Sequence, residues 1–95
     1  MTTFNFIHDD SHGWLEVNLN TFPEAKNYAT GFGFINGNTI YLEEDVEAPN
    51  FIEYLKTQGK EFDIIDKTYD GQWFGRSYSR NVRGSHYNKD NQERN

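Results

Sequence analysis

The chain is 95 residues long, 35% hydrophobic and 17% aromatic, with a formal charge of −6 and no cysteine. That length holds one domain with one modest core, of stability on the order of 5–10 kcal/mol, and the lack of thiols excludes disulfides and thiolate metal centres. No apolar window reaches the length of a membrane-spanning helix and no basic-then-apolar leader opens "MTTFNFIHDD", so no membrane association and a cytoplasmic location are expected.

The segment 3–8 alternates, with Phe4, Phe6 and His8 on one face and Asn5 and Ile7 on the other. The segment 14–19 alternates as well, setting Leu15, Val17 and Leu19 against Trp14, Glu16 and Asn18. Both patterns predict strands. The turn-forming run "DDSHG" between them predicts a hairpin. In "NTFPEAKNYA", Pro23 can open one or two helical turns, with Asn20 or Thr21 as cap.

"GFGFINGNTIYLEED" carries the clearest local signal. Asn36-Gly37-Asn38 supplies the positive backbone angles of a tight hairpin turn, which predicts strands over 31–35 and 39–43. The main helix is expected over about 46–58. Pro49 sits in its first turn, Phe51, Ile52 and Leu55 form the apolar stripe that Val46 extends, and Gly59 stands at the C-terminal stop. "EFDIIDKTYDGQWFGRSYSRN" predicts a strand at 61–68, a turn at Asp70-Gly71 and a last strand at roughly 72–79. The expected fold is α+β: a small antiparallel sheet with one main helix packed on a face. It fills a single domain over 1–81, followed by a polar, disordered tail over 82–95.

Three clusters carry chemistry. The first is His8, Asp9, Asp10 and His12, whose side chains suit zinc or a redox metal. In a turn the four-residue spacing of the histidines aligns nothing, and the remaining histidine, His86, is in the tail. The residues are equally well explained as an Asx turn closed by Gly13, and this reading is preferred; no cofactor is implied. Ser11 beside His12 has no third group to complete a nucleophilic set.

The second cluster is Glu43, Glu44, Asp45 and Glu47. Carboxylates at a helix N-terminus meet the positive end of its dipole. They also form a negative patch that a basic protein surface can read. The third is the aromatic and arginine series Trp73, Phe74, Arg76, Tyr78, Arg80, Arg83, Tyr87 and Arg94, the pattern of a single-strand nucleic-acid grip. Residues 1–70 carry a balance of −9 and residues 71–95 one of +3. So acidic a body repels phosphates, and nucleic acid is disfavoured as the partner.

The segments "HDDSHGWLEV" and "YLEEDVEAPNFIEYLK" resemble those of a group of small proteins, common in plasmids and phages, with an HD-x-x-HGWL-x-V segment, a YLEED segment, a helix and a late strand. The resemblance spans the chain to about Tyr78. It puts His8, Asp9, His12, Gly13, Trp14, Tyr41, Leu42, Glu43, Glu44 and Asp45 on the motif positions. It implies a mobile genetic element as the setting and assigns no reaction.

The leading expectation is a non-catalytic accessory protein that occludes a basic surface of a host protein, such as a defence nuclease or polymerase. The partner-binding set is Glu43, Glu44, Asp45, Glu47, His8, His12 and Trp14. The first alternative is a nucleic-acid-binding module using the aromatic and arginine strand and tail. The second is a small metal-dependent enzyme using His8, Asp9, Asp10 and His12. A homodimer through an exposed sheet edge is left open.

Overall fold

The computed structural model describes residues 2–82. Strands β1 (Thr2–His8) and β2 (Gly13–Asn18) form the first hairpin, with His8 opposite Gly13. Strands β3 (Phe34–Asn36) and β4 (Thr39–Glu43) form the second, with Asn36 opposite Thr39. Gly37 in its turn has φ 61°, the left-handed angle such a turn needs. Helix α1 runs Glu47–Thr57, strand β5 Phe62–Thr68 and strand β6 Ser79–Arg80. Two 3-10 helices, Pro23–Tyr28 and Phe74–Ser77, complete the set.

Among the described residues, one sheet contains all six strands, in the order β5-β1-β2-β4-β3-β6. The architecture is α+β, as expected, with α1 on one face. One pairing departs from the antiparallel expectation: β5 lies parallel to β1, from Thr2 opposite Phe62 to His8 opposite Thr68. The connection explains it. β1 and β4 are both antiparallel to β2, so they run the same way. The helix carries the chain back across the sheet, and a strand–helix–strand crossover delivers its second strand in the direction of the first.

The sheet is covered on both faces of its middle. On one, Phe51 and Leu55 of α1, with Phe22, Ala25 and Ala29 around the first 3-10 helix, meet Phe4, Leu15, Val17, Ile40 and Leu42. On the other, Ile7, Trp14, Phe34 and Tyr41 surround Trp73. The Trp73 ring lies 4.7 Å from that of Tyr41 and 4.9 Å from that of Trp14, centroid to centroid.

Trp73 also overturns the expected strand over 72–79. That segment folds across the sheet as a 3-10 helix and contributes only the two-residue β6 at its end. The Trp73 N–H donates to the Asp9 carboxylate instead of to a ladder (2.9 Å). The indole then folds against Gly75, where a Cβ would overlap the ring. No helix among the described residues is long and apolar enough to cross a membrane. Apart from Val82, the tail expected over 82–95 lies outside the described residues, as do Arg83 and His86.

Candidate functional site

The histidine–aspartate run is a turn built on Asp9. Its Oδ1 accepts the N–H groups of Ser11 (3.0 Å) and His12 (2.9 Å), while the Asp9 N–H donates to the His12 carbonyl (2.9 Å). The carboxylate also receives Arg76, from Nε at 2.6 Å and from a terminal nitrogen at 3.0 Å. The Arg76 guanidinium holds the Asp9 carboxyl far below the usual carboxylate range; burial opposes it, and the Trp73, Ser11 and His12 amides add to it. The same contact raises the Arg76 pKa. Asp9 therefore has no lone pair left for a metal.

The two histidines of the turn diverge. His8 packs on Phe6 (ring centroids 4.6 Å), on the helix-covered face, and its Nε2 meets Asp66 at 3.1 Å. His12 leans toward Trp14 (6.3 Å), on the opposite face, with Nδ1 3.6 Å from Glu44 Oε2. Among the described residues, no three His, Cys, Asp or Glu side chains gather where they could hold a metal ion.

The acidic run divides into three roles. Glu43 folds forward over the start of α1: its Oε1 accepts the N–H groups of Val46 (2.6 Å) and Glu47 (2.8 Å), and its Oε2 that of Asp45 (2.7 Å). It caps the helix from ahead of it, satisfying amides that helix geometry leaves open. Glu47 is fully buried, which removes it from the expected partner-binding set. Its Oε2 accepts Thr30 N–H, Thr30 Oγ1–H, Phe32 N–H and Gly33 N–H; its Oε1 accepts Glu43 N–H and Asn81 Nδ2–H. Asn81, also fully buried, accepts the Gly31 N–H at 2.9 Å. This pair pins the loop of residues 30–33. Gly33 must be glycine there, because a Cβ would overlap the Tyr41 carbonyl oxygen. The remaining acids, Glu44 and Asp45, face outward.

A cleft of about 380 Å³ opens beside them, lined by His12, Trp14, Glu44, Asp45, Arg76 and Arg80 among others. It joins parts of all three clusters. Phe32 and Val46 also line it and are strongly exposed, at 66% and 45%. Phe32 sits between Gly31, at φ 96°, and Gly33, so the chain leaves the sheet there and turns the ring outward. Both arginines already have partners. Arg76 serves Asp9 and lies 5.1 Å from the Trp14 ring. Arg80 lies over the Phe34 ring at 4.6 Å and donates to the Phe32 carbonyl at 2.7 Å. The cleft's outward carboxylates are thus those of Glu44, beside His12, and Asp45, and among the described residues neither meets a lysine or arginine within ion-pair distance. The arrangement suits a basic side chain flanked by an apolar one.

The expected aromatic and arginine array is dispersed. Trp73 is buried in the second core, Tyr78 lies tilted against Tyr41 (ring centroids 5.7 Å), and only Phe74 of the described aromatics in the series is widely exposed. Tyr41 itself is pushed above its ordinary pKa by burial, with the Glu16 carboxylate adding to the effect. The outward Phe32 and the Glu47–Asn81 pair were not anticipated from sequence. The glycines on either side of Phe32 were a readable sign of a strand interrupted; nothing marked Asn81. No protein-family model, curated protein or solved structure matches this chain.

Proposed function

We propose that the protein is a non-catalytic binding protein of a mobile genetic element, and that it docks on a basic surface of a host protein and occludes it. The docking face is the cleft wall formed by Phe32, Val46, Glu44 and Asp45. The observation that carries this reading is the pairing, in one cleft, of two exposed apolar side chains with the carboxylates of Glu44 and Asp45, neither of which meets a lysine or arginine within ion-pair distance among the described residues, Glu44 having only His12 nearby. Exposed phenylalanine has no structural task here, whereas at an interface a central aromatic anchor ringed by charge is the usual source of affinity. The acidic body favours approach to a positive surface over any approach to phosphates. A basic surface covered in this way would be one that binds nucleic acid, as on a nuclease or polymerase.

The test is capture of bacterial proteins on the immobilised chain, compared with Phe32→Ser and Asp45→Lys. The captured protein is identified, and its nucleic-acid binding is measured with and without this chain. The expected result is a basic protein lost from both variants, released by salt, and blocked from nucleic acid. Capture indifferent to both substitutions rejects the cleft as the docking face.

A further inference from the structure

β5 is the least covered of the strands longer than two residues. Every residue from Asp63 to Thr68 is exposed, including Ile64 (42%) and Ile65 (48%). It ends the strand order, with β1 on one side and no described strand on the other. The Tyr69 N–H donates to the His8 carbonyl at 2.8 Å. Backbone groups alternate in direction along a strand, so Lys67, Ile65 and Asp63 also bond toward β1. Phe62, Ile64, Asp66 and Thr68 then point their N–H and C=O groups outward. That row is a template for another strand. It contains no proline, and its seven-residue register with β1 runs without a bulge.

The side chains favour one kind of strand. A two-fold axis perpendicular to the sheet keeps each face on its own side, so residues opposite one another must have the same parity. With the axis at Ile65, Asp63 stands opposite the second copy's Lys67, and Lys67 opposite the second copy's Asp63. Ile65 meets itself, and Phe62 stands opposite Thr68. The outward-pointing residues fall on hydrogen-bonded positions, while the charge pairs and Ile65 fall on the closer, non-hydrogen-bonded ones. Moving the axis to Asp63, Asp66 or Lys67 sets like charges opposite each other. Moving it to Ile64 leaves Asp63 without Lys67 and pairs Thr68 outside the strand. Asp66, which faces Ile64 in the favoured register, keeps His8 as its partner within its own chain.

We propose that β5 pairs antiparallel with β5 of a second copy about an axis at Ile65, joining two sheets into one. The contact is one strand wide, so the dimer is concentration-dependent. The cleft, on other strands, is a separate surface.

Sedimentation of the full chain over a wide concentration range tests this. The expected result is a shift from one-chain to two-chain mass. Asp63→Lys and Lys67→Asp each place like charges opposite one another twice, and each weakens the dimer roughly tenfold. The double variant Asp63→Lys with Lys67→Asp restores it, and circular dichroism stays unchanged throughout. A single-chain mass at every concentration overturns the proposal, as does a dimer that either single variant leaves intact or that the double variant fails to restore. Slow amide exchange at Ile64 and Asp66 in a chain that stays monomeric also overturns it, by showing that the chain covers its own edge.

Discussion

The Asp9 carboxylate holds the Arg76 guanidinium through two hydrogen bonds, at 2.6 and 3.0 Å, and so ties the first hairpin turn to the segment that carries Trp73 into the second core. One fully buried carboxylate thus organises both its own turn and a distant stretch of chain.

This contact sets the acid behaviour of the fold. The Asp9 pKa is lowered in the folded state. Its stabilisation is therefore complete above the unfolded value of about 3.9 and is lost as pH falls further toward the folded one. Urea unfolding measured from neutral pH downward should show stability falling below about pH 4, and Asp9→Asn should flatten that fall. Arg76→Ala should cost about 1.5–3 kcal/mol at neutral pH, the range for a lost hydrogen bond to a charged group.

Glu47 gives the sharpest contrast within the acidic run. In Glu47→Gln an amide NH₂ replaces one oxygen, and both oxygens face only donors. Donor then meets donor in a buried site, and the expected loss is about 3–5 kcal/mol by thermal or urea unfolding. Asp45→Asn, on an exposed side chain, should stay within about 0.5 kcal/mol.

Removing the plug of the second core should be as damaging. Trp73→Ala should cost about 3–5 kcal/mol and abolish most of the near-ultraviolet signal from the packed rings of Trp14 and Tyr41. Phe32→Ser should leave both unfolding and that signal unchanged, because the ring is exposed.

Tyr41 predicts the alkaline limit. Its pKa is raised in the folded protein, so stability holds below the unfolded value of about 10 and declines as pH rises above it. Absorbance of ionised tyrosine should show one ring that titrates only together with unfolding; early titration of every ring would contradict the buried position.

The local pattern was readable where backbone chemistry is local. Asn36-Gly37 announced the second hairpin, the stripe of Phe51 and Leu55 announced the helix, and the run from Asp9 to Gly13 announced a turn. What escaped depended on contacts between distant segments. Trp73 reads as the start of a strand until its amide is seen on Asp9. Glu47 reads as one more helix-start acid until the amides of residues 30–33 are seen converging on it. The parallel partner of β1 was implied by a strand, a helix and a strand in succession, a rule that outranks the antiparallel habit of small sheets. Of the expected partner-binding residues, His12, Trp14, Glu43, Glu44 and Asp45 do line one cleft, while His8 faces away and Glu47 points inward.

The pairing of Thr2 with Phe62 and of Phe34 with Arg80 makes both outer strands of the sheet latecomers. Each must wait for a long loop to close before it can dock, and the central hairpins need no such closure. Fraying should therefore begin at the two margins and move inward. In the single, undimerised chain a protease would find its first cuts around β5 and β6, well before the middle of the sheet lets go.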